Sequence, residues 1–184
     1  MAQIIASPYF GEISAAPSIH FWSVIKMRKF TIATLIVFST FTSPVFSADE
    51  NNTVPGLTAA GAALGMHGID PVAFVNINNR ITGTAKYTGV HNNVAYYFAS
   101  KENLEMFKKS PQSYVPQNGG FCTFGVSVGK KFDGNPRFAA IEEGKLYLFL
   151  NEAIFKEFQK DRKGTIKKAA SNWKKIKHVA ATKL

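Results

Sequence analysis

The chain has 184 residues, 22 Lys+Arg against 12 Asp+Glu for a net charge of +10, 46% hydrophobic residues and one cysteine. A single thiol excludes an internal disulfide, a Cys-x-x-Cys redox pair and an all-cysteine zinc site, so metal or nucleophilic chemistry must recruit His, Met or carboxylate partners. The charge is unevenly spread, with nine basic and nine acidic side chains over residues 48–155 but ten and two over residues 156–184. Lysines without interleaved aromatic residues are a poor nucleic-acid signature, so no nucleic-acid partner is expected. They fit either a solvated helix face or attraction to an anionic envelope surface or a partner protein.

In chain order, Lys26, Arg28 and Lys29, the apolar run at 30–41 and small residues up to Val45 and Ser47 have the three-part build of a secretory leader. The run of about 12 apolar residues falls short of the roughly 20 needed to span a bilayer. Cleavage is expected after Ser47, giving a periplasmic or secreted chain with no transmembrane span in its mature part. Residues 1–26 precede the leader's basic start, so Met27 reads as the initiator and 1–26 as a non-native upstream extension; an unusually long leader is the alternative. The expected organisation is that extension, a signal peptide at 27–47, a mobile N-terminal segment at 48–65 and a single domain at 66–184 ending in a basic helix.

Residues 57–65 are rich in small side chains and predict a turn or two of helix, broken by Gly65 and Gly68. Residues 84–88 and 94–98 read as short strands joined by a turn at Asn92-Asn93, a pair that tolerates positive φ. In the second strand Val94, Tyr96 and Phe98 share one face, Ala95 and Tyr97 the other. Ser100 caps a helix over 101–109, with Leu104 and Phe107 inward and Ser110-Pro111 as its stop. Residues 114–120 form a loop leading to Cys122. Residues 137–141 and 145–150 form a hairpin across Glu142-Glu143-Gly144, and its second strand, apolar on both faces, is expected to be central. A helix over 152–160 buries Phe155 and Phe158. After Gly164 a longer helix over 165–179 places Ile166, Ala169, Ala170, Trp173 and Ile176 on one stripe. The order of elements implies an α+β fold, a small mainly antiparallel sheet packed with helices.

Gly68-Ile69-Asp70-Pro71-Val72-Ala73-Phe74, Tyr97-Phe98-Ala99-Ser100, Tyr114-Val115-Pro116, Gly119-Gly120-Phe121-Cys122, Gly144-Lys145-Leu146-Tyr147-Leu148 and Asn172-Trp173 follow one another at spacings that resemble the exported YHS domain proteins. The resemblance runs from about Met66 to Trp173 and implies a YHS-like single domain. It also implies a binding role, since metal binding is usually proposed for YHS domains that accompany metal-transporting ATPases. Those relatives carry cysteines where this chain has Ala73, Ala99 and Asn103.

Three readings of Cys122 remain open. It is a small hydrophobe packed between Phe121 and Phe124, or the anchor of a copper or zinc site completed by Met66, His67 and His91, or a nucleophile with His67 or His91 as its base. No recognised cysteine-hydrolase signature surrounds it, so the expected function is non-catalytic. Asp70 reads as a helix or turn cap, or as a carboxylate facing a ligand pocket; Tyr97 and Tyr114 join it as candidate ligand contacts, although most aromatic residues are expected in the core.

Overall fold

The computed structural model describes residues 49–184; the expected leader and upstream extension, residues 1–47, lie outside the described residues. Among the described residues, β1 (Thr53–Val54), β2 (Ala63–Gly65), β3 (Thr84–His91) and β4 (Val94–Phe98) form one sheet in the order β1-β2-β4-β3. β2 runs parallel to β4, and the other two pairings are antiparallel. β5 (Asn135–Glu142) and β6 (Lys145–Phe149) make a separate antiparallel pair. The helices are α1 (Pro71–Ile77), α2 (Lys101–Lys109), α3 (Thr123–Ser127), α4 (Glu152–Lys160) and α5 (Arg162–Ile176). The fold is α+β, a small and mostly antiparallel set of strands packed with helices in one domain.

Cap chemistry fixes the helix boundaries. Ser100 Oγ accepts from the Asn103 N–H at 3.2 Å and Asn151 Oδ1 from the Ile154 N–H at 3.0 Å, each satisfying a first-turn donor that has no partner inside its helix. Asp161 does this for α5, accepting from the Gly164 N–H at 2.9 Å, while its own N–H closes α4 on the Phe158 carbonyl. Gly164 therefore lies in the first turn of α5, where a Cβ would collide with the capping carboxylate, and the helix starts earlier than residue 165.

Two further expectations change. Residues 57–65 contribute strand β2, because Gly65 lets the chain press against β4, where a Cβ would stand 2.7 Å from Val94 Cγ1. The segment 49–65 carries β1 and β2, and the Asn52 amide donates to the Gly120 carbonyl at 3.1 Å and to Asp133 Oδ1 at 2.8 Å. Strand β6 is not central in a sheet, since it pairs with β5 alone. Its other edge takes a hydrogen bond from the Gln117 N–H to the Leu146 carbonyl and a bridge from Cys122 to Leu148.

Both faces of β6 are nevertheless buried, and they divide the interior. Leu146 and Leu148 join a cluster with Met66, Val72, Phe74, Phe98 and Phe107, on the side of the first sheet. Tyr147 and Phe149 face a second cluster containing Cys122 and Phe158. A third, smaller cluster packs Phe121 and Val126 against Ala169 of α5, with Trp173 and Ile176 at its margin.

Candidate functional site

Cys122 is 1% exposed and caps the N-terminus of α3, where its Sγ accepts weakly from the Gly125 N–H at 3.5 Å. Tyr147, Phe149 and Phe158 enclose it together with Phe124 and Phe155. Burial pushes the thiol above its ordinary value. The N–H groups of Gly125, Leu150 and Phe124 oppose that shift, the charge of Asp133 adds to it, and burial prevails. A thiol held this way is a poor thiolate donor or nucleophile.

The other expected ligands sit apart in character. Met66 and His67 are adjacent in a left-handed turn (φ 55° and 48°), yet Met66 is buried in the first core cluster and His67 is exposed. His67 Nε2 lies 3.0 Å from Asp133 Oδ1. His91 Nε2 lies 2.8 Å from Gln112 Nε2, and its ring meets Phe107 edge-on. Among the described residues, no three His, Cys, Asp or Glu side chains gather in a metal-binding group.

Asp70 is fully enclosed. Its Oδ1 accepts from the N–H groups of Val72 and Ala73 at 2.8 and 3.0 Å, and its Oδ2 accepts from the Ala99 N–H at 2.8 Å and the Asn103 amide at 2.7 Å. Both carboxylate oxygens are thus spent on capping α1 and tying it to the start of α2. Tyr114 packs partly buried against the first core cluster, and the half-buried Tyr97 lies over the Gly68 turn.

A cleft of about 810 Å³ opens elsewhere, between the β3–β4 turn, the loop after α2 and helix α5, with Asp49 and Asn51 at one edge. Of the residues singled out from the sequence for a site, His91 alone borders it. Tyr96 reaches it from β4. That side chain is 6% exposed, and burial raises its phenol well above the ordinary value. Among the described residues its hydroxyl makes no hydrogen bond, and no buried side-chain oxygen or nitrogen lacks a partner, so the hydroxyl keeps some contact with solvent on a residue that lines the cleft.

The opposite wall is Trp173, fixed from behind by Lys131. The Lys131 side chain is 0% exposed, and its ammonium pairs with Glu50 at 2.9 Å and donates to the carbonyls of Lys177 and Val179 at 3.1 and 2.7 Å. It also lies 5.3 Å from the Trp173 ring centroid and 5.1 Å from that of Phe121. Gly119, at φ 60°, lets the loop close on the indole, since a Cβ there would come within 3.0 Å of it. One buried cation thereby joins the strap at residues 49–52, the end of α5 and the aromatic wall.

The sequence reading placed most aromatic residues, Tyr96 and Trp173 among them, in the core and left the lysines of the last helix between a solvated face and an anionic surface or partner. The available signal was amide density, with Asn92-Asn93, Gln112 and Gln117-Asn118 falling within one short stretch. Comparison with protein-family models, curated proteins and solved structures finds no match for the chain.

Proposed function

We propose that the chain is an exported, non-catalytic binding module of YHS type that holds a small polar ligand in the cleft between the β3–β4 turn, the loop after α2 and α5. The observation that carries this reading is Tyr96, a buried residue in the lining of a concave space whose hydroxyl has no hydrogen-bond partner among the described residues. Ligand pockets of this kind combine a mostly formed recess with a few placed polar groups. The enclosed Cys122 thiol turns the reading away from a copper or zinc ion anchored on that sulfur. Export rests on the leader-like residues 27–47. The test is a screen of small polar compounds against the full chain by two-dimensional NMR. Ligands should move the Trp173 indole N–H and the backbone signals of Tyr96 and Gln117; compounds that bind while leaving these signals in place would refute the cleft as the site.

A second reading has its own observation. Lys163, Lys167, Lys168, Lys174 and Lys175 of α5 make no ion pair among the described residues, and the helix has no acidic residue, whereas Lys108, Lys156, Lys160, Arg162 and Lys177 are each paired. This unneutralised face suits an anionic envelope surface or an acidic partner protein. Association with anionic lipid vesicles should fall steeply as salt rises to physiological strength. Binding that ignores salt, or none at low salt, would exclude an electrostatic surface role.

A further inference from the structure

The chemistry of the cleft lining narrows the ligand class, an inference that rests on the cleft reading above. Six of its sixteen lining residues are amides: Asn51, Asn92, Asn93, Gln112, Gln117 and Asn118. Among the described residues, the side chains of Asn92, Asn93 and Gln117 make no hydrogen bond. Asn51 and Asn118 use only their NH₂ groups, toward main-chain carbonyls and Thr123 Oγ1 respectively, and Gln112 engages His91 through Nε2. Every one of the six therefore leaves at least half of its amide unpaired, and as placed all six carbonyl oxygens are free. An amide offers a donor and an acceptor side by side.

Charge separates the possible ligands. Among the described residues Asp49 brings the only carboxylate in the lining, and it is occupied by Lys177 at 3.3 Å and His178 at 2.8 Å. A hard cation, which favours carboxylate oxygens, would find none free and would face Lys174 at the rim. An anion would find that one ammonium and the NH₂ groups of Asn92, Asn93 and Gln117, but would bring no donor to the six carbonyl oxygens. A neutral ligand dense in hydroxyl groups meets neither obstacle, because each hydroxyl donates to a carbonyl and accepts from an NH₂. The Tyr96 hydroxyl adds one more partner of either sense, and Trp173 supplies an apolar surface for the C–H groups between hydroxyls.

We infer that the cleft binds a neutral saccharide, its hydroxyls shared among the six amides and Tyr96 and its apolar edge lying near Trp173. The experiment titrates the full chain with maltotriose and with tri-N-acetylchitotriose, and in parallel with succinate, adenosine and calcium, following the Asn and Gln side-chain NH₂ signals and the Trp173 indole N–H. One of the two saccharides should move these signals at a lower concentration than any comparator does. Tyr96→Phe, which keeps the ring in the core, should weaken that saccharide by roughly three- to tenfold, the value of one net hydrogen bond. Gln117→Ala, which removes a half-buried side chain that makes no hydrogen bond among the described residues, should weaken it similarly with unchanged melting temperature. Movement of the cleft signals by a comparator and by neither saccharide would overturn the inference while sparing the cleft as a site. No movement by any compound would count against both. Full affinity retained in Tyr96→Phe and Gln117→Ala together would also overturn it.

Discussion

Replacing Asp70 with asparagine removes one charge and almost no volume, so its effect isolates the four hydrogen bonds that the carboxylate accepts. With the remaining carbonyl oxygen turned to α1, the bonds from the N–H groups of Val72 and Ala73 survive in weaker, uncharged form. The new NH₂ then faces the Ala99 N–H and the Asn103 amide, donor against donor. Asn103 can rotate its amide and present its oxygen, but the Ala99 N–H cannot adjust. The sum is one stranded buried donor and the loss of charge assistance at the others, about 3–5 kcal/mol. For a domain of this size that is roughly 10–15 °C in melting temperature. Thermal unfolding followed by circular dichroism gives the number, and a second substitution tests its cause. Asn103→Asp alone sets two carboxylates against each other. Combined with Asp70→Asn, it returns an acceptor opposite the new NH₂, so the double variant should be more stable than either single one. Stability of Asp70→Asn within about 1 kcal/mol of the parent, or strict additivity in the cycle, would refute the view that this carboxylate serves the fold.

Three other outcomes follow from the buried groups. Lys131→Met keeps the length of the side chain but leaves Glu50 and two carbonyls without their shared ammonium, and should cost about 3 kcal/mol with a change in Trp173 fluorescence; a loss below about 1 kcal/mol would show that the knot is slack. The Cys122 proton is held more tightly in the folded than in the unfolded chain, so its contribution is complete below the ordinary thiol value and is lost as pH rises through the folded one. Denaturant titrations should therefore show the parent losing stability above about pH 8.5 more steeply than Cys122→Ser, and parallel curves would contradict the burial argument. Copper(I) and zinc titrations should give the same result for the parent and for Cys122→Ala. Stoichiometric binding that vanishes with the thiol would restore the sulfur-anchored ion that the enclosing rings argue against.

Local chemistry made much of the fold legible. The α2 boundaries follow from Ser100 and from Ser110-Pro111, and the faces of β4 follow from simple alternation. Strand β6 shows the limit of that logic. Its doubly apolar pattern predicted burial on both sides, which is present, and a strand on each edge, of which β5 alone is present, because a sequence pattern reports that a face is covered but not by what. Helix α3 escaped notice because its cap is a cysteine and it spans five residues with three aromatic or β-branched members. The cleft was the least legible part. Its ring of amides is assembled from the strap, a turn and a loop, and such residues carry no periodicity that marks a shared surface. Asp70 was visible as a residue with two roles, and only the positions of Ala99 and Asn103 show where its second oxygen is used.

The two-sided burial of β6 has a mechanical consequence. A strand that is a wall of both larger interiors cannot be released from one without exposing the other, so the halves of the domain must melt as one cooperative unit. Amide protons of β6 in its ladder with β5 should therefore exchange with solvent only through global opening, at the same rate as that of Phe98 on the far sheet.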